Sequence, residues 1–140
     1  MERRDLIQDE IEQLGRVLGK MLEVLLGLKS RGKVNEGISV VQQELMTQLD
    51  IDINQILKLS GDELTAYLKQ WNLTSEHLET LSAILLESGR DGLAECDPET
   101  VLRLQRSVEL LDIADEISKT ASFERMAKRS EIENLLSECM

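Results

Sequence analysis

An all-α fold follows from three observations: an antiparallel array of six or seven helices, in one domain spanning residues 1–140. Apolar residues recur at steps of three and four in almost every long segment, the spacing of one helix face. Aromatics make up only 2% of the chain and proline occurs once, so the core must be built from leucine, isoleucine, valine, methionine and alanine. Leucine is also a strong helix former. The links between patterned segments are short, which favours antiparallel neighbours.

The first helix is predicted from about Arg4 to Lys29. Ile7, Ile11, Leu14, Leu18, Met21, Leu25 and Leu28 share one of its faces. Read as a heptad seam, this stripe leaves Gln8, Glu10, Gly15, Val17, Leu22 and Val24 at the flanking e and g positions. A two-stranded coiled coil prefers charges there. Glycine and apolar residues dominate instead, so the stripe predicts a central packing helix covered on several sides. Gly15 and Gly19 point to a close crossing. Gly32 is placed to end the helix as a left-handed cap.

A second helix is expected from about Lys33 to Leu49, with Val34, Ile38, Val41 and Leu45 on its inner face. Leu49 to Asn54 alternates apolar and polar residues and reads as an extended link into a short helical turn from Asn54 to Leu59. Ser60 and Glu63 have the spacing of a capping box, with Leu59 and Leu64 as its hydrophobic staple. The helix it starts, Gly61 to Gln70, carries Leu64, Tyr67, Leu68 and Trp71, with Trp71 plugging the next joint. Thr74 caps a helix that ends near Gly89, with Leu73 stapled to Leu78. The longest loop, Gly89 to Asp97, precedes Asp97-Pro98, a cap and proline in helix-starting order. The helix opened there runs to about Lys119, with Val101, Leu104, Val108 and Leu111 on one face. A last helix, about Ser122 to Cys139, is expected to bury Phe123, Met126, Ala127, Ile132, Leu135 and Leu136.

Composition excludes some function classes. A net charge of −11 disfavours binding to nucleic acid or anionic membrane, where affinity comes largely from neutralised phosphates. Hydrophobic residues reach 41%, which argues against disorder. The apolar run Val17 to Leu28 contains Lys20 and Glu23 and falls short of the roughly 20 residues a membrane span needs. The opening residues, Met1 to Asp5, lack the pattern of a secretory signal. Cys96 and Cys139 are too few for a disulfide scaffold and read as free thiols in a reducing compartment. The chain is therefore expected to be cytoplasmic.

Few motifs carry chemistry. Gly27 to Val34 fits the phosphate loop G-x-x-x-x-G-K-[ST] except at Val34, which cannot ligate Mg²⁺, and no strand precedes it. A helix ending around two glycines accounts for the same pattern. Asp50, Asp52 and Asn54 fit the start of an EF-hand loop, but Gln55 and Gly61 stand where it requires glycine and glutamate. His77, the one histidine, falls in the first turn of its helix and reads as a surface residue. It shares no metal-ligand spacing with the cysteines. Lys119, Arg125, Lys128 and Arg129 form the one local basic cluster, ringed by Glu116, Glu124, Glu131 and Glu133. Such a cluster is either a solvated ion-paired face or a site for an acidic peptide or phosphorylated ligand.

From Leu85 to Val108 the chain resembles a tetratricopeptide repeat. Leu85 falls at the motif's first large residue, Gly89 at its helix glycine, and Val101 and Val108 at its two small positions. Gln105, Gly92 and Ile113 depart from the motif. More broadly, the chain is similar to a family of small bacterial all-helical proteins without an assigned activity. The similar parts are the Arg4-Asp5 helix through Gly32-Lys33, Leu49-Asp50-Ile51-Asp52 with Leu59 to Leu64, and Ser118-Lys119-Thr120 with Phe123-Glu124-Arg125. These resemblances imply a TPR-like α-α superhelix.

No residue set stands out as catalytic, cofactor-binding or metal-binding. The chain is therefore expected to be a non-enzymatic helical module for protein–protein association, including self-association as a homodimer. Lys119, Arg125, Lys128 and Arg129 are its candidate surface. The alternative is a small-ligand or enzymatic pocket lined by acidic residues and His77.

Overall fold

The computed structural model describes residues 3–139, with side chains from residue 7 onward. Met1 and Glu2, part of the stretch read for a secretory signal, lie outside the described residues. The described chain is all-α and holds seven α-helices: α1 (Arg3–Ser30), α2 (Val34–Leu49), α3 (Ile53–Lys58), α4 (Gly61–Leu68), α5 (Ser75–Gly89), α6 (Pro98–Ser118) and α7 (Phe123–Ser137). A 3-10 turn, Arg90–Gly92, follows α5. No helix among the described residues is long and apolar enough to cross a membrane.

In space the long helices follow the order α2, α1, α5, α6, α7, each beside the next, and α3 lies against both α2 and α6. The central place therefore belongs to α5 rather than α1. Nine of the fifteen residues of α5 are buried, because it is packed by α1 on one side and α6 on the other. The stripe of α1 does enter the core through Leu14, Val17, Leu18, Met21 and Leu25. Its first residue, Ile7, faces solvent, and Ile11 and Leu28 are half-buried. As expected, α1 is covered by more than one neighbour, α2 and α5, but the middle place in the array is taken by α5.

The helix ends follow local chemistry. At the end of α1, Gly32 takes the left-handed conformation (φ +76°), and the Lys33 amide donates to the Leu28 carbonyl at 2.8 Å. The phosphate-loop pattern thus terminates a helix. Asp52 caps α3 by accepting from the Asn54 amide at 2.9 Å, so the EF-like acids are helix punctuation. Asp97 caps α6 in the same way through the Glu99 amide, with Pro98 in the first turn. Trp71 lies in the α4–α5 link and donates its indole N–H to the Leu49 carbonyl at 2.8 Å, closing the end of α2. The capping box expected at Ser60 does not form. Ser60 makes no side-chain cap bond, and the Gly61 amide instead donates to the Glu109 carboxylate of α6 at 2.9 Å.

Two apolar clusters make the interior. The larger gathers α1 to α6 around Leu18, Leu25, Ile56, Leu64, Leu81 and Leu110. The smaller consists of Leu86, Leu104, Leu111 and Ile132, with Leu93, Val108, Leu135 and Leu136 half-buried beside it. Here α7 departs from expectation. Ile132 is buried and Leu135 and Leu136 half-buried, but Phe123, Met126 and Ala127 face solvent. The helix has rolled so that Arg125 is buried in their place. Cys96 and Cys139 also depart from it. They are not free thiols but a disulfide, with Cα atoms 5.4 Å apart. The hairpin of α6 and α7 returns the chain to its starting loop, bringing together residues 43 positions apart.

Candidate functional site

Two of the four predicted basic residues, Arg125 and Arg129, converge where α5, α6 and α7 meet. Asp115, in the last turns of α6, accepts from Arg125 Nε at 2.6 Å and from Arg129 at 2.8 Å. Arg125 also donates to Ser118 Oγ at 3.0 Å and to the Thr120 carbonyl at 2.9 Å, and lies 3.6 Å from Glu79 of α5. Arg129 pairs with Asp112 at 2.6 Å. Two of the four predicted cations are thus engaged in holding α7 to the body. Hydrogen bonds from Arg129 and then Arg125 hold the Asp115 carboxyl below the ordinary carboxylate range.

The other two cations stand free of that clamp. Lys119 ends α6 in the left-handed conformation (φ 60°) and is exposed. Lys128 is exposed and reaches Glu131 only loosely, at 3.8 Å. Three large apolar side chains are exposed on either side of the α6–α7 link: Ile117 (50% exposed), Phe123 (90%) and Met126 (47%). Behind this corner a cleft of about 290 Å³ is lined by Leu86, Leu111 and Ile132, with Arg125 and Lys128 among its polar residues.

His77 is buried, not at the surface as its position in the first turn predicts. Its Nδ1 accepts from the Thr74 amide at 3.1 Å while Thr74 Oγ1 accepts from the His77 amide, a reciprocal capping box. Its Nε2 donates to the Ile11 carbonyl of α1 at 2.9 Å. The carbonyl can only accept and the Thr74 amide can only donate, so these contacts specify the neutral Nε2–H tautomer. A Cβ at Gly15 would lie 3.4 Å from Nε2, an ordinary contact, so the approach does not depend on glycine there. Burial pushes the imidazole pKa below its ordinary value, outweighing the Ile11 bond and the charge of Glu76, which push it up. The native state therefore takes up a proton less readily than the unfolded chain. The stability His77 confers is full above about pH 6.5 and is lost as pH falls toward its native pKa. The stability gap between wild type and His77→Gln, measured by urea unfolding, is expected to shrink from pH 7.5 to pH 5.5. A gap that stays constant would contradict this account.

Other polar groups are also spent on packing. Ser82 and Ser107 each donate to the other's backbone carbonyl at 2.8 Å, clasping α5 to α6. Glu87 joins Lys29 of α1 (3.0 Å) to Arg90 (2.9 Å), and Arg90 reaches Glu131 of α7 at 2.6 Å. Burial pushes the Glu87 carboxyl up, but hydrogen bonds from Lys29 and Arg90 outweigh it and hold the group below its ordinary range. Among the described residues no group of three or more His, Cys, Asp or Glu side chains is placed to hold a metal ion.

Sequence reasoning missed Phe123, because it placed this residue in the core. A signal was present. Arg125, Arg129, Ile132 and Leu136 recur at helical spacing and compete with the face of Phe123, Met126 and Ala127. The chain matches no family model, no curated protein and no solved structure.

Proposed function

We propose that this chain is a non-enzymatic interaction module that presents the α6–α7 corner to a protein partner. The observation that carries this reading is Phe123, the chain's only phenylalanine, standing 90% exposed one helical turn from the exposed Met126. Large aromatic and methionine side chains are enriched at interface centres, and exposed apolar side chains with a polar rim are the usual form of a docking surface. Lys119 and Lys128 together with Glu116 and Glu124 supply a rim of mixed charge, so the partner segment is apolar at its centre. This reading is preferred to an acid-lined pocket around His77 because both ring nitrogens of His77 are already used within the fold. The expectation of a reducing compartment rested on free thiols, and the Cys96–Cys139 disulfide removes that ground.

Phe123→Ser tests the proposal. Removing a solvated side chain at the start of a helix is expected to change stability by no more than about 0.5 kcal/mol. Affinity capture with wild type and variant in parallel should show a protein retained by the first and lost by the second. Identical captured sets would count against the corner. Sedimentation velocity covers self-association, where a concentration-dependent dimer abolished by Phe123→Ser would make the partner a second copy of the chain.

A further inference from the structure

We propose that the Cys96–Cys139 disulfide is a redox latch on α7. Closed, it holds α7 over the smaller apolar cluster; opened by a dithiol reductant, it releases α7 and uncovers the strip of α5 and α6 beneath.

The arrangement of the interior supports a detachable α7. The larger cluster is built entirely from residues before α7, so it survives the departure of this helix. The smaller cluster does not, because Ile132 is its one buried member from α7 and covers Leu86, Leu104 and Leu111. Only Arg125 and Ile132 of the fifteen α7 residues are buried. A helix of that length is marginal in water without tertiary support. Apart from the Arg125 clamp, its ion pairs, Arg129 to Asp112 and Asp115 and Glu131 to Arg90, involve partly exposed groups, which salt and water weaken. The disulfide lies just beyond the last turn of α7, at the end opposite the Arg125 clamp, and ties it to the loop before α6. Release of this one bond leaves the C-terminal half of α7 held mainly by Ile132, two half-buried leucines and the Arg90–Glu131 pair.

The chemistry balances as two thiol–disulfide exchanges. Both cysteines are partly exposed, so an external thiolate can reach them. The reductant's first thiolate attacks the Cys139 sulfur and forms a mixed disulfide. The Cys96–Cys139 bond breaks, and Cys96 leaves as a thiolate that takes up a proton. The reductant's second thiol, as thiolate, then attacks its own sulfur in the mixed disulfide, and Cys139 leaves and is protonated. Two electrons pass from the dithiol to the protein, and the reductant ends as its own disulfide.

The test uses the full chain, oxidised and then reduced with dithiothreitol, with amide hydrogen exchange read by mass spectrometry. It requires no partner, so it stands or falls apart from the corner proposal. Reduction is expected to accelerate exchange in the C-terminal half of α7 by about tenfold or more, while α5 changes by less than about twofold. Binding of a hydrophobic dye should rise in parallel. Equal protection of α7 in both states would reduce the disulfide to a passive staple and overturn the latch. Equal loss of protection in α5 and α7 would overturn it too, because the whole chain would then be opening. A Cys96→Ser, Cys139→Ser double variant should reproduce the reduced pattern without reductant. If that variant fails to accumulate, reduction of the wild-type protein in place still decides the question.

Discussion

Leu81→Ala is expected to destabilise the fold by about 3–4 kcal/mol, a large fraction of the roughly 5–15 kcal/mol that holds a domain of this kind. Leu81 is fully buried on α5, the helix packed between α1 and α6. Truncating it removes apolar area from the larger cluster and leaves a cavity. The walls of that cavity are held by neighbours on both sides, including the Ser82–Ser107 clasp one residue along the helix. Collapse around the void is therefore limited, and the cost falls well above that of the lost methyl groups alone. Leu26→Ala on α1 is the control. Leu26 is 44% exposed despite lying in the most apolar stretch of the sequence. Its truncation should change stability by no more than about 0.5 kcal/mol. Urea midpoints followed by far-ultraviolet circular dichroism decide the matter. Equal costs at the two positions would show that α5 is not the spine of the fold.

That contrast locates what was legible in the residues. Helix spans, several caps and the inner faces of most helices follow from local spacing and local hydrogen bonding. Thr74, Asp97-Pro98 and Gly32 therefore announce their roles within a few residues. The order in which faces meet is a long-range property. Nothing in the stripe of α1 says that α5 lies beside it, or that Ile11 offers the carbonyl that draws His77 inward. The cysteines show the same limit. Two thiols 43 positions apart carry no signal of proximity until the α6–α7 hairpin is known. At the corner, two faces of α7 compete, and local hydrophobicity favours Phe123. The decision rests on Asp115, ten residues before Arg125 and on a different helix. Turning the Phe123 face inward would take the Arg125 donors away from Asp115, Ser118 Oγ and the Thr120 carbonyl together, so the helix rolls toward the ion pair.

The same balance sets the expected result of Arg125→Met. In the oxidised chain, where the disulfide keeps α7 in place, this substitution should cost about 2 kcal/mol. Methionine nearly fills the volume, so the loss is electrostatic: Asp115 loses its 2.6 Å donor, and Ser118 Oγ and the Thr120 carbonyl lose theirs. The cost stays below that of a fully buried pair because Asp115 is partly exposed and Arg129 still holds its second oxygen. Adding Asp115→Leu should then recover much of the loss, since an apolar pair of similar size replaces the charges and Arg129 keeps Asp112. Acidity offers an independent check. Asp115 has a lowered native pKa, so its contribution is full above about pH 4 and disappears as pH falls through the native value. The stability gap between wild type and Arg125→Met should therefore narrow on titration toward pH 3. If the double variant costs as much as the single one and the gap ignores pH, α7 is held by its apolar contacts. The exposure of Phe123 would then require a cause other than the burial of Arg125.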